Sequence, residues 1–376
     1  MNALSFLHRA LRKPNTANLR KPSATSQFFS TTTLNRTVEY DMEGKDIVDP
    51  KTIVRPKKPV VTVFGGSGFI GREVVKMLAP HCSEVRVGAR DPDAFNDYIR
   101  GHADSDSFSN IIGDFADVCD KFSLNNLIEG SDTVINLTGI KFESDYNIKE
   151  LYVDGVRNVA HGAYLHHVPN HIYVGCLSSD LESLSKMADI KARAEDMSRA
   201  AFGDNNILIR PGPIYGDGDQ FAQTMKRAAL FWPGFVPVPH TNTKIQPTYV
   251  QDVAKAILRI VQDPQRFQGR HFQLGGPDIY TNKEFVSKTL AAAGRSRLTM
   301  PVPFWLAELM IGLYQWFPNP AITRFHSHIW KKDQVVSDKV DRLDYYDPKE
   351  VEVHTYETLG IEPVSIENVA NLFLRK

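Results

Sequence analysis

Pro59 to Leu78 reads PVVTVFGGSGFIGREVVKML, and this stretch decides the fold. Its first six residues are a β-branched apolar run, the pattern of a parallel strand covered on both faces. The run stops at Gly65, and Gly68 and Gly71 follow at three-residue spacing. REVVKML then continues at helical spacing, with Val74, Val75 and Leu78 on one face. Between a strand and a helix each glycine has a mechanical purpose. Gly65 permits a tight turn, Gly68 lets the backbone approach a pyrophosphate, and Gly71 lets the helix pack close to the strand. The helix start offers free N–H groups and its positive dipole end to phosphate. The expected cradle is therefore Gly65, Gly66, Ser67 and Gly68, continued by Phe69, Ile70, Gly71 and Arg72.

Working outward, EVRVGAR (Glu84 to Arg90) reads as the next strand. A site for NAD(H) ordinarily ends this strand with an acid that accepts from the ribose 2′-OH. Here Ala89 and Arg90 occupy that region. The planar fork of Arg90, with Arg72 converging on it, suits a 2′-phosphate, so NADPH is the expected cofactor. NIIGDF places Asp114 and Phe115 at the adenine edge, and SDTVINLTG brings the backbone of Leu137, Thr138 and Gly139 beside the nicotinamide ribose. HIYVGCLSS and NILIRPGPIYG add two more strands, with helical stretches such as IKELYVDGVRNVAHGAYLHH between them. Such alternation implies an α/β fold, a Rossmann-type doubly wound parallel sheet, here followed by a small C-terminal α/β lobe.

The chain has 376 residues, 42% hydrophobic, with Lys+Arg 44 against Asp+Glu 44. A net charge of zero argues against nucleic acid as a partner. Cys82, Cys119 and Cys176 are too widely spaced for a disulfide framework or a zinc site. From Met1 to Val38 there is no acidic residue, while Arg9, Arg12, Lys13, Arg20, Lys21 and Arg36 supply positive charge. With ALSFLHRAL at helical spacing and a Ser/Thr cluster, residues 1–38 read as a mitochondrial transit peptide. Residues 39–58 form a polar, proline-bearing arm, 59–240 the nucleotide-binding Rossmann domain, and 241–376 a lobe whose pieces interleave with it.

With these motifs the chain resembles the short-chain dehydrogenase/reductase superfamily, in its extended or atypical branch. The resemblance implies a Tyr-x-x-x-Lys helix and a serine at the end of the fifth strand. SKMADIKARAE keeps Lys191 but has Met187 where the tyrosine belongs. A thioether cannot donate a proton. Gly175 and Cys176 stand where serines are common, and Ser178 and Ser179 read as loop hydroxyls or a helix cap. Lys191 can still bind ribose hydroxyls, so no catalytic residue is assigned. Tyr173 reads as a packed strand residue.

A narrower resemblance comes from LIRPGPIYGDGDQF, KIQPTYVQDVAKAI, FQLGGPDIYTNKEF and LGIEPVSIENV, which occur in this order. Together with VTVFGGSGFIGR and VINLTG they are similar to the alpha subcomplex subunit 9 group of accessory subunits in mitochondrial respiratory complex I, the NADH:ubiquinone oxidoreductase. That resemblance implies a tightly held NADPH outside the main electron path. It also implies other subunits of the hydrophilic arm and quinone region as partners, and a location on the matrix side of the mitochondrial inner membrane. Rival readings are an active NADP-dependent reductase or epimerase using a water, Cys176 or a serine, and a mitochondrial redox sensor outside complex I. Pro211 and Ile214 belong to an irregular strand exit at the nicotinamide end. Arg210 bonds either the cofactor or a neighbouring carboxylate. Asp252 is expected to cap the helix VAKAILRIV. The segment 302–332 is aromatic, broken by Glu308 and Pro318 and too interrupted to span a bilayer. It reads as a lipid- or partner-facing surface, or else as a core helix of the lobe.

Overall fold

The computed structural model describes residues 58–102, 108–139, 148–183, 185–219, 234–294, 297–314, 331–337 and 352–374. It also describes two strands nearer the N-terminus, β1 (Phe29–Thr33) and β2 (Arg36–Tyr40), paired antiparallel. The rest of the expected transit peptide and arm, and residues 315–330, lie outside the described residues. The chain divides into two units, Met1–Lys57 and Lys58–Lys376.

The second unit is built on β3 (Val60–Phe64), whose last four residues are fully buried, as an apolar run flanked on both sides must be. After α1 (Phe69–Leu78) come β4 (Glu84–Ala89), α2 (Pro92–His102) and β5 (Ile111–Phe115). The chain then crosses back through a short α3 (Asn125–Ile128) to β6 (Thr133–Asn136). A helix that begins as a wider π-type coil over Glu150–Gly155 continues as α4 (Val156–Leu165) and leads to β7 (Asn170–Val174). Then α5 (Lys186–Phe202) leads to β8 (Ile207–Pro211). Short strands β9 (Ile214–Tyr215), β10 (Phe235–Val238), β11 (Lys244–Ile245) and β12 (Thr248–Tyr249) follow. The remaining strands are β13 (His271–Leu274), β14 (Tyr280–Thr281), β15 (Leu298–Pro301) and β16 (Val353–His354).

The main sheet has eight strands in the order β16-β13-β8-β7-β6-β3-β4-β5, all pairs parallel. Its strands come from both sides of residue 240. One face packs on α1, α2 and the helix Val250–Gln262 through Val74, Leu78, Phe95, Ile257 and Ile260. The other packs on α3, α4 and α5 through Leu127, Val159, Ala163 and Met187. This is the doubly wound α/β arrangement. Strand order reverses between β3 and β6, which places a crevice at their C-terminal ends. Asp252 does not cap the helix Val250–Gln262, whose N-cap is Tyr249. Its buried carboxylate accepts instead from the Val364 amide at 2.7 Å and from Lys255 at 2.9 Å, tying the C-terminal segment to the helix.

His171, in the middle of this sheet, is wholly buried, with Nδ1 2.7 Å from Asn206 Oδ1. Burial drives its pKa down to about 4, against the Asn206 bond that works upward. The unfolded chain therefore binds a proton near pH 6.5 that the folded chain refuses. Stability is indifferent to this group above that pH and falls as the pH drops through 6 toward 4.5, by about 2–3 kcal/mol. Urea unfolding at pH 7 and 4.5 checks this: His171→Gln should shrink the difference between the two pH values.

Candidate functional site

The crevice at the β3/β6 reversal is built by close backbone approach. Gly65 sits at φ +78°, and a Cβ there would lie 2.7 Å from the Leu137 carbonyl oxygen. A Cβ on Gly71 would lie 2.3 Å from Gly65 O and 2.5 Å from Gly66 Cα. The Gly68 amide donates to Gly65 O at 3.1 Å, closing the turn, and Arg72 N donates to Gly68 O at 3.0 Å, starting α1. Gly68 is exposed, so its backbone faces open space at the helix start. Gly66, Ser67, Phe69 and Ile70 complete the loop and first turn; Phe69 borders Gly216 and Gly218 of the loop after β9. At Gly65 and Gly71 the turn admits only backbone, the kind of loop that opens a helix start to an anion.

Arg72 is oriented by a residue that no motif singles out. Its guanidinium lies 4.0 Å above the Tyr98 ring of α2, and Tyr98 Oη accepts from Lys76 Nζ at 2.9 Å. The Arg72 Nε is buried without a hydrogen-bond partner. A buried guanidinium donor left idle is expensive unless a ligand uses it. Arg90 follows the last residue of β4 and is exposed; Ala89 is in register with Phe115 on β5. Phe115 is 53% exposed, a large ring offered to solvent at the same end of the sheet. Asp114 accepts from the Phe115 amide at 2.7 Å. These residues share the C-terminal end of the β3-β4-β5 half.

On the other side of the reversal, Asn136 ends β6 wholly buried. Its Oδ1 accepts from Thr138 N at 3.0 Å and Thr138 Oγ1 at 2.6 Å, while its Nδ2 has no partner. Leu137 and Thr138 are half-buried, and Gly139 is exposed. A Cβ on Gly139 would come 3.3 Å from the Tyr152 hydroxyl. Pro211 ends β8 buried, and Ile214 begins β9 half-buried.

Met187, Lys191 and Glu195 form an i, i+4, i+8 stripe on α5. Met187 is 2% exposed and packs in the same core cluster as Tyr152 and Tyr173. Lys191 is half-buried. Burial opposes its charge, but the Cys176 sulfur, Tyr152 and Glu195 outweigh burial and hold its pKa above the ordinary lysine value. Glu195 is buried and takes Nε and Nη2 of Arg210 at 2.9 and 2.6 Å. Its other oxygen accepts from Ser179 Oγ at 2.7 Å. So Arg210 is committed to a carboxylate, and Ser179 to the same group. Tyr98, Tyr152 and Glu195 escape a sequence reading. Only Glu195 carries a signal, its i+4 spacing from Lys191.

The profile of the NmrA-like family matches residues 57–359. The alpha subcomplex subunit 9 of mouse NADH dehydrogenase [ubiquinone] 1 is 29% identical over 82% of this chain and 78% of its own. The Arabidopsis thaliana protein of that name is 30% identical over 76% of this chain and 70% of its own. The chain belongs to the NmrA-like family, in its alpha subcomplex subunit 9 branch. Among solved structures, an NADPH-dependent quinone oxidoreductase from Escherichia coli in complex with NADPH superimposes with a TM-score of 0.62. It is 15% identical and covers 83% of this chain and 99% of its own, a likeness of fold.

Proposed function

We propose that this chain is an NADPH-holding accessory subunit of mitochondrial NADH:ubiquinone oxidoreductase, without catalytic turnover of its own. In this reading it sits on the matrix side of the inner membrane and supports assembly and stability near the quinone site. The observation that carries the reading is the close-packed glycine turn Gly65–Gly71, together with a buried Met187 in the position of the family's proton donor. The similarity to the mouse and Arabidopsis alpha subcomplex subunit 9 proteins supports the assembly.

When bound, NADPH would supply a hydride. The chain's own groups bind and orient. Backbone N–H groups of the Gly65–Gly68 turn and α1 hold the pyrophosphate, while Arg72 and Arg90 take the 2′-phosphate. Phe115 and Asp114 flank the adenine. The backbone of Leu137 to Gly139, with Lys191, holds the nicotinamide ribose, and Pro211 and Ile214 border the nicotinamide end. A specific observation favours a second reading: the Tyr152 hydroxyl lies 3.3 Å from the Cβ position of Gly139, at the strand exit where a displaced proton donor would stand.

The helix Phe304–Tyr314 carries Trp305 at 67% and Leu309 at 51% exposure, and Lys331 Nζ lies 3.7 Å from the Phe304 ring centre. No described helix is long and apolar enough to cross a membrane. An exposed aromatic face with a lysine beside it suits contact between segment 302–332 and lipid headgroups or a neighbouring subunit.

One purified preparation tests the binding and the chemistry. NADPH at about one hundred times its Kd should add about 2.7 kcal/mol to the unfolding free energy. NADH should bind more weakly, and Arg90→Asp should erase the preference, weakening NADPH by about tenfold. NADPH oxidation with quinone or carbonyl acceptors should stay at background. Turnover that vanishes in Tyr152→Phe would instead establish the second reading. Comigration with NADH dehydrogenase activity in native electrophoresis of mitochondria tests the assembly.

A further inference from the structure

We infer that Tyr98 is a positioning residue for the choice of a 2′-phosphorylated nucleotide. Its ring holds the Arg72 guanidinium ready for the 2′-phosphate, so the preference is set from α2 as well as from Arg90. The inference deepens the NADPH reading above and rests on it.

The residues concerned come from two neighbouring helices. Arg72 and Lys76 stand at i and i+4 on α1, so they share one face. Tyr98 stands on α2, and α1 and α2 cover the same face of the main sheet. All three are half-buried. The Tyr98 ring packs against the core cluster that contains Val74, Phe95 and Ile99, which restrains it. The Arg72 guanidinium carbon lies 4.0 Å from the ring centre, well inside the reach of a cation–π contact. Lys76 Nζ donates to Tyr98 Oη at 2.9 Å and lies 5.2 Å from the same ring centre. Burial works against the Lys76 charge, but the Tyr98 hydroxyl and the Glu73 carboxylate outweigh it and hold its pKa above the ordinary value. Glu73, the acid next to Arg72 in the chain, is bonded to Lys76 at 3.3 Å.

A second observation, independent of the ring, points to a ligand. Arg72 Nε is buried with no hydrogen-bond partner among the described residues. A ring face attracts the guanidinium charge and supplies no oxygen or nitrogen acceptor, so Nε remains available to an anion. The place suits the 2′-phosphate. Arg72 directly follows Gly71, whose close approach to Gly65 and Gly66 ties the start of α1 to the turn. Arg90 lies exposed between the end of β4 and the start of α2. An arginine already held on a ring loses less side-chain freedom when the phosphate arrives, and that saving appears as affinity. NADH has no 2′-phosphate, so it gains nothing from the ring. A Tyr98 that merely joined α1 to α2 would, when lost, weaken both nucleotides alike.

Calorimetric titration of the full chain with NADPH and with NADH reads the ratio of the two affinities. Tyr98→Leu should weaken NADPH about tenfold and leave NADH within about twofold of the natural chain. Tyr98→Phe keeps the ring face and should hold the ratio within about twofold. Arg72→Gln should also lower the ratio, and adding Tyr98→Leu to it should change the ratio no further, because Tyr98 acts through Arg72. Urea unfolding of each variant reports an intact fold, and Tyr98→Met replaces Tyr98→Leu if the latter misfolds. An unchanged ratio in Tyr98→Leu, an equal loss for both nucleotides, or the same loss in Tyr98→Phe overturns the inference. A natural chain that shows no preference for NADPH removes the cofactor reading and the inference with it. A natural preference that Tyr98→Leu leaves intact removes the inference alone.

Discussion

Glu195→Leu lowers the unfolding free energy by about 3–5 kcal/mol, because it leaves the Arg210 guanidinium buried with no counter-charge. Arg210 is 4% exposed, and its Nε and Nη2 both donate to one Glu195 oxygen. Arginine cannot escape by losing its proton. Ser179 also loses its acceptor. The double variant Glu195→Leu with Arg210→Met removes both charges and should recover most of the loss, since a buried pair is worth little over well-packed apolar groups. Equilibrium urea unfolding of the two singles and the double closes the cycle. A single variant within about 1 kcal/mol of the natural chain would mean that water reaches the pair.

Gly71→Val should weaken nucleotide binding by about a hundredfold or more, equivalent to about 2.7 kcal/mol. The new Cβ would sit 2.3 Å from Gly65 O and 2.5 Å from Gly66 Cα, both backbone atoms of the cradle. No rotamer relieves a clash with backbone, so the turn that presents the N–H groups must open. Gly101, inside α2, has nothing within 4 Å of its Cβ position. Gly101→Ala should therefore leave the affinity unchanged and stabilise the helix slightly. Calorimetric titration with NADPH measures both; equal affinities for the Gly71 and Gly101 variants would show that the loop does not grip the phosphates.

How far each feature could be read from the chain depended on how local its cause is. The glycine turn was legible because its requirements are backbone requirements at neighbouring residues, and glycine alone meets them. The alternation of strand and helix was legible because burial on both faces leaves apolar runs such as Val60–Phe64. The cap assigned to Asp252 failed for the opposite reason. Its partner, the Val364 amide, lies far along the chain, and that distant bond outcompeted the local one.

The sequence by itself determined the Rossmann-type sheet, the glycine turn at Gly65 to Gly71 and the absence of a phenol at position 187. Those are matters of period, backbone freedom and side-chain chemistry, and each is carried by residues adjacent in the chain. Only the tertiary structure decided that Arg210 is spent on Glu195, that Tyr98 shelves Arg72, and that Asp252 reaches the Val364 amide. These pairings join separate elements. Electrostatic attraction and hydrogen bonding select partners by distance in space, which neither composition nor periodicity records.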